Sequence, residues 1–284
     1  MSESNSTRYG AYQLLDIEIS AGVATATIEN PPLNILTLPL FGELSRFGEQ
    51  VGDDPLIRVV VLRSADPDFF IAHFDVEAIL QFPIEADPKR STDNVFHKMC
   101  ERYRTMDKPT IAQIEGRVGG GGSELVQAMD MRFGVIGKTR FNQMEVPIGI
   151  LPGGGGTQRL PRLMGRGRAL EMILGGGDID AVTAERWGLL NRALAAEEID
   201  GFVQHLAQRI ASFPAEAVKL AKQAVDCAAL PLEEGLVEES FLFDKLLRTA
   251  DAQKNMQRFL EYGGQTRDVE LEVDLLSAKL GNKS

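Results

Sequence analysis

The chain is poor in the residues that most often announce chemistry. Its 284 residues hold two cysteines, three histidines and one tryptophan, and aromatics make up only 7%. Cys100 and Cys227 lie outside any CxxC or Cys/His cluster, so neither a disulfide framework nor a zinc site is expected. His73, His97 and His205 are dispersed, and no HExxH or metal-spaced carboxylate set occurs; no metal centre is expected. Positive charge is in deficit, 30 Lys+Arg against 41 Asp+Glu, for a net −11. Such a surface repels phosphate backbones and anionic membranes, so neither nucleic acid nor membrane is an expected partner. No apolar run approaches the roughly 18 residues of a membrane span. The opening MSESNSTRYG lacks the basic and apolar regions of a signal peptide. A cytoplasmic protein is the expectation.

What is present is ordinary globular composition, 44% hydrophobic and 25% charged, in a chain long enough for a full core. Residues 1–10 are polar and expected to fray. Strand and helix signals alternate to about residue 150, which argues an α/β core with parallel pairing; residues 167–262 read as mostly helical with a short strand near 189–194, and the core is expected to span residues 11–195. YQLLDIEIS and VATATI read as strands, and in the second Val23, Thr25 and Thr27 alternate with Ala24, Ala26 and Ile28 as on a strand with two different faces. Thr37 to Gly52 has helical spacing, with Leu40, Leu44 and Phe47 on one face. RVVVLRS and FFIAHFD read as strands, and a helix begins at DVEAILQ. A Pro- and charge-rich loop fills 84–92, and a helix runs from Val95 to Met106. TIAQIEGRV reads as one strand, GGGGSELVQAM as a glycine turn opening a helix, and MRFGVI as a strand. Residues 196–284 form a helical region. There Leu232, Leu236, Ser240, Phe243 and Leu247 share one helix face, read as core or subunit contact. The last twenty or so residues are read as an extra helix on a neighbour or as loose chain.

The familiar phosphate and nucleophile motifs fail. Neither glycine run contains GxGxxG. Gly137-Lys138-Thr139 ends like a P-loop, but Arg132 stands where its first glycine belongs. Ser123 is not in GxSxG, because Leu125 replaces the last glycine. Two glycine turns remain, at 119–122 and 153–156. The first opens a helix, whose free N–H groups suit an anion or a developing oxyanion, and a tight strand-to-helix turn explains it equally well. Two carboxylates accompany it. Glu124 follows the turn, where helix-dipole complementation also explains it; Glu145 sits amid apolar residues in FNQMEVPIG. Converging in one apolar pocket, they would form an acid/base pair.

IEGRVGGGGSELVQAMDMRF and FNQMEVPIGILPGGGGTQRLPRLMG, with NPPLNILT and FFIAHFDV upstream, resemble the signature blocks of the crotonase superfamily (enoyl-CoA hydratase/isomerase) over residues 12–262. The resemblance implies an α/β fold, a spiral of ββα turns with a helical C-terminal trimerisation region. It implies Glu124 and Glu145 as the catalytic pair and the amides of Phe74 and Gly121 as an oxyanion hole. Leu33, Ala72, His73, Asp75, Val76 and Gly120 are implied as substrate-binding. The implied substrate is an acyl-CoA, with coenzyme A part of it rather than a separate cofactor, and the implied assembly is a homotrimer or homohexamer. Retention of both glutamates implies hydration of a 2-enoyl-CoA. An isomerase, a hydratase-lyase, a CoA-independent C–C hydrolase using His73, or a non-catalytic trimeric scaffold stand as alternatives. His73 and Phe74 replace the family's small residues before Asp75, which narrows the pocket. Met144 replaces the proline before the second glutamate. A proline replaces the lysine of the 30–34 loop, and Lys254-Asn255 and FLEYGG replace the basic C-terminal block, so basic contacts to CoA are fewer. Arg159, Arg162, Arg166 and Arg168 are the available cations.

Overall fold

The computed structural model describes residues 9–83 and 94–281. Most of the fraying expected over 1–10, and the loop expected over 84–92, lie outside these residues. The hairpin β1 (Leu15–Ser20) and β2 (Val23–Ile28) leads into α1 (Leu38–Asp53). The Thr37 side chain caps α1 by accepting the Leu40 N–H, which satisfies one of its orphan donors. β3 (Val59–Ser64), β4 (Phe69–Ile71), the single turn α2 (Val76–Ile79) and α3 (Val95–Thr105) follow. Next come β5 (Thr110–Ile114), β6 (Arg117–Gly119), α4 (Gly120–Ala128), β7 (Met131–Val135) and β8 (Arg140–Asn142). A longer helical stretch, α5 (Gly156–Met164) and α6 (Arg166–Gly175), precedes β9 (Ile179–Asp180), α7 (Ala181–Trp187) and β10 (Arg192–Leu194).

Two sheets result. The larger has the order β1-β2-β3-β5-β7-β10 and is parallel after its first hairpin. The smaller has the order β4-β6-β8-β9. Successive pairs β3–β4, β5–β6 and β7–β8 each give one strand to either sheet, and each step advances the chain by one spiral turn. TIAQIEGRV is therefore not one strand: it breaks at Glu115-Gly116 and changes sheets. Gly116 makes the crossing possible, because a Cβ there would stand 2.2 Å from the Asp68 carbonyl carbon. FFIAHFD likewise leaves its ladder after Ile71.

Alternation in β2 separates two cores. Ala24, Ala26 and Ile28 join the main cluster with Leu40, Leu44, Phe47 and Val51 of α1. Val23 faces the other side of the sheet, where Val59, Val61, Ile111 and Phe133 pack against Val203 and Ala207 of α8 (Ile199–Ser212). Each fully buried aliphatic or aromatic side chain contributes roughly 1.5–3 kcal/mol. Beyond α8 the chain is helical: α9 (Ala215–Asp226), α10 (Leu232–Leu247), α11 (Ala250–Glu261), α12 (Arg267–Glu270) and α13 (Val273–Gly281). A Lys222–Asp130 ion pair of 2.7 Å ties α9 to the core. No residue of α10 is buried, so its apolar face is not core of this chain. α13 packs back on the same chain, with Leu276 buried and Asp274 accepting from Arg209 at 2.6 Å. No helix among the described residues is long and apolar enough to cross a membrane.

α4 is buried along its whole length, and its seat on β4 depends on Gly122. A Cβ there would stand 2.6 Å from Cβ and Cγ2 of Ile71 and 2.9 Å from its carbonyl oxygen. Gly122→Ala is expected to cost about 1–3 kcal/mol, read as a lowered midpoint in thermal or urea unfolding. A midpoint equal to that of the unsubstituted protein would refute this account of how α4 is seated.

Candidate active site

Three segments meet at the start of α4. The first is the glycine turn itself. Gly119 approaches so closely that a Cβ would stand 2.4 Å from the Ala72 oxygen, and Gly120 takes φ +47°. Gly121 lies in the first helical turn, where geometry gives an N–H no intrahelical partner. The second is the stretch after β4. A parallel bridge pairs Phe74 with Leu36 through the Leu36 amide to the His73 oxygen (2.8 Å) and the Asp75 amide to the Leu36 oxygen (3.1 Å). In that register the Phe74 N–H points away from Leu36. The loop carrying Leu36 is itself held by buried Asn34, whose amide donates to Ser64 Oγ at 2.8 Å and to the carbonyls of Phe69 and Phe70. The third is the second glycine run.

That run grips Glu124. Gly154 and Gly156 each donate a backbone N–H to Glu124 Oε1, both at 2.8 Å. Gly154 has to be glycine, because a Cβ would stand 2.5 Å from both Glu124 Oε2 and the Phe96 ring. Burial pushes the Glu124 carboxyl up to about 7; the two amides and Arg159 oppose the rise, and Glu145 adds to it. A group poised there can both take and give a proton near neutrality. Glu145 follows β8 and opens a short 3-10 turn, Val146–Ile148. It is 8% exposed, and burial raises its pKa while His73 opposes the rise. Its Oε2 is buried and has no hydrogen-bond partner among the described residues. A carboxyl so placed favours its protonated form.

Glu124, Glu145, Phe74 and Gly121 line one cavity of about 590 Å³. Its remaining wall is apolar, with Phe41, Phe82, Phe96, Ile79, Ile150 and Leu151, and Asn94 adds one amide. Phe41 stacks on Phe96 at 6.0 Å, and Phe74 meets Phe96 edge-on at 6.1 Å. The residues expected to bind substrate are divided. Leu33, Ala72 and His73 line a neighbouring cleft of about 180 Å³ with Arg117 and Arg140, and His73 Nδ1 lies 2.8 Å from the Phe74 oxygen. Asp75 caps α2, accepting from the Glu77 and Ala78 amides, and Val76 is the first residue of that turn. Gly120 backs Glu145, whose Oε1 would lie 3.2 Å from a Cβ at that position. Arg159 is not a free cation: it donates to the Gly154 oxygen at 3.0 Å and to Glu101 at 2.8 Å. Arg162 donates to the Gln158 carbonyl, and Arg168 lies over the Trp187 ring.

Sequence reasoning missed the residues that hold Glu124. The run at 153–156 was visible, but its role as amide donor depends on α5 turning it toward α4. Gln143 was also missed; its side-chain amide is buried and unpartnered among the described residues. Its Nε2 and Glu124 Oε1 would both lie within 3.2 Å of a Cβ on Gly156. No cluster of His, Cys, Asp or Glu among the described residues is placed to hold a metal ion.

The model of the enoyl-CoA hydratase/isomerase family matches residues 18–266. The short-chain-enoyl-CoA hydratase of Clostridium acetobutylicum is 33% identical over 248 residues, covering 86% of this chain and 94% of its own. The crotonyl-CoA hydratase of Syntrophomonas wolfei is 32% identical over 253 residues, covering 88% and 96%. Among solved structures, the enoyl-CoA hydratase of Bacillus anthracis superposes with a TM-score of 0.80 at 29% identity, covering 88% of this chain and 97% of that one.

The raised Glu124 carboxyl has a consequence for stability. Its pKa is near 4.5 when unfolded and about 7 when folded, so the folded state binds this proton more tightly. The folded state loses stability as pH rises from 4.5 to 7, by on the order of 3 kcal/mol, and the loss is constant above. Glu124→Gln is therefore expected to gain stability relative to the unsubstituted protein as pH is raised from 5 to 8. A pH-independent difference between the two unfolding midpoints would contradict the burial argument.

Proposed function

The chain belongs to the enoyl-CoA hydratase/isomerase family, and from that premise we propose that it adds water across the double bond of a 2-enoyl-CoA thioester. The observation that carries the reading is the meeting of two buried carboxyls and two backbone amides around one apolar cavity. The thioester carbonyl accepts from the Phe74 and Gly121 N–H groups. As negative charge develops on that oxygen, such donors each contribute about 3–4 kcal/mol to the transition state. Glu124 takes a proton from water, whose oxygen bonds to Cβ. The electron pair of the double bond moves to the enolate, and Glu145 returns a proton to Cα. Syn addition needs a base and an acid on one face of a flat enoyl group. Burial raises both carboxyls, so each can exchange a proton within the cavity.

The cavity wall favours an apolar acyl group, because a charged one would lose its hydration with few partners in return. Two features bear on the alternatives. His73 lines the neighbouring cleft rather than this cavity, which argues against the C–C hydrolase reading. Retention of both carboxyls at one cavity argues against a scaffold without activity. We further infer that the chain assembles as a homotrimer or homohexamer. The exposed Leu232, Leu236 and Phe243, which share one face of α10, support this, since an uncovered apolar helix face is a mark of an interface.

The test is crotonyl-CoA, followed by loss of the ultraviolet absorbance of its conjugated thioester. The unsubstituted protein is expected to hydrate it. Glu145→Gln is expected to lower kcat by a factor of about 10²–10⁴ while calorimetric binding of the acyl-CoA persists. No turnover by the unsubstituted protein, or equal loss of binding in the variant, would overturn the assignment. Phe74→Ala is expected to shift kcat/KM toward bulkier acyl groups; an unchanged chain-length profile would remove Phe74 from the acyl wall.

A further inference from the structure

The first two residues of α3 that touch the second glycine run do so from two sides of one peptide unit. Phe96 packs on Gly154, where any Cβ would stand 2.5 Å from its ring. His97 Nε2 lies 2.8 Å from the Gly153 oxygen. A carbonyl oxygen only accepts, so Nε2 carries the proton in this contact. The Gly153 carbonyl and the Gly154 N–H belong to the same planar peptide. That N–H is one of the two that hold Glu124 Oε1, at 2.8 Å. The imidazole N–H, the Gly153–Gly154 peptide and the Glu124 carboxylate thus form one unbroken chain of hydrogen bonds. Donation to the carbonyl oxygen of an amide polarises its N–H, and linked bonds of this kind strengthen one another.

The neighbouring units of the loop are held by other groups. Arg159 takes the Gly154 oxygen. The amides of Gln158 and Arg159 take the Gly155 oxygen at 3.0 and 2.9 Å, which orients the Gly156 N–H toward Glu124. Within this frame the Gly153 carbonyl is gripped by a side chain from α3.

We propose that His97 is a positioning residue for Glu124, acting through the Gly153–Gly154 peptide that it orients and polarises. The role of Glu124 as base rests on the hydratase reading; the coupling of His97 to its carboxyl does not. Other charged or titratable groups face Glu124 as well. Arg159 from α5 favours its ionised form, and Glu145, after β8, opposes it. Cys100 from α3 is held neutral, its thiol pushed up to about 12 by burial. Substitutions at His97 leave all three in place. Hydrogen bonding to a carboxylate lowers its pKa, so loss of the His97 donor raises the Glu124 midpoint. The acid limb of the rate profile then moves to higher pH.

Two measurements on the full-length protein test this. The first is carbon-13 NMR titration of side-chain carboxyls in glutamate-labelled protein, with the Glu124 signal assigned by its loss in Glu124→Gln. The second is kcat and KM on crotonyl-CoA across pH. In His97→Ala the Glu124 midpoint is expected to rise and kcat at neutral pH to fall about five- to tenfold, with KM unchanged. His97→Gln, which keeps an N–H donor, is expected to restore most of both. An unchanged Glu124 midpoint, an unchanged kcat, a loss confined to KM, or a glutamine variant no better than alanine would each overturn the proposal. If the unsubstituted protein does not hydrate crotonyl-CoA, the hydratase reading fails, and the titration alone decides whether His97 is coupled to Glu124.

Discussion

Two backbone amides on one carboxylate oxygen organise this molecule. Glu124 is 4% exposed and faces phenylalanine rings, an environment in which an ionised carboxylate is costly. Gly154 and Gly156 offset that cost without adding charge. Much of the local architecture follows from this contact. Gly154 has to be glycine because the carboxylate and Phe96 come too close for any Cβ, and a Cβ on Gly156 would stand 3.1 Å from Glu124 Oε1. Gly155 takes φ +115°, and a Cβ there would stand 1.9 Å from Arg159 Nη1, so the arginine can lie across the loop only if Gly155 has no side chain. Arg159 then carries the constraint on to Glu101 and, through Arg104, to Asp226 at the end of α9.

The same economy governs the proposed oxyanion side. An N–H donor is available at Phe74 because the bridge to Leu36 uses the His73 carbonyl and the Asp75 N–H, which turns the Phe74 N–H the other way. It is available at Gly121 because the first turn of any helix leaves N–H groups unpaired. Neither depends on a side chain, so the phenylalanine at 74 is compatible with the role while it reshapes the wall. Asp75 acts one step further away: it caps α2 by accepting from the Glu77 and Ala78 amides.

Legibility in the sequence varied with the range of the interaction. The helix at 38–53 was readable from the spacing of Leu40, Leu44 and Phe47, and the two-faced strand from the alternation at 23–28, because both depend on local periodicity. TIAQIEGRV was misread as one strand. Its apolar content is that of a continuous strand, and the break at Gly116 is required by the Asp68 backbone, which approaches from a distant part of the chain. The α10 face at Leu232, Leu236 and Phe243 was readable as apolar, but periodicity does not say whether such a face is covered by its own chain. Leu33, Ala72 and His73 follow the resemblance in sequence, yet they open on a cleft separate from the one holding the carboxylates. His73–Phe74, Gly119–Gly121 and Met144–Glu145 each run between the two clefts, with neighbouring residues facing opposite ways.

The sequence by itself determined the class of the fold and marked the two glycine runs and the two carboxylates as candidates. These rest on composition, periodicity and motif, which are local properties of the chain. The tertiary structure alone decided that the second glycine run holds the glutamate following the first, that Glu145 Oε2 has no partner among the described residues, and that His97 reaches the peptide behind Glu124. Each is a hydrogen bond made, or left unmade, between segments tens of residues apart. Its direction depends on how peptide planes are turned, and the one-dimensional order of residues does not specify that.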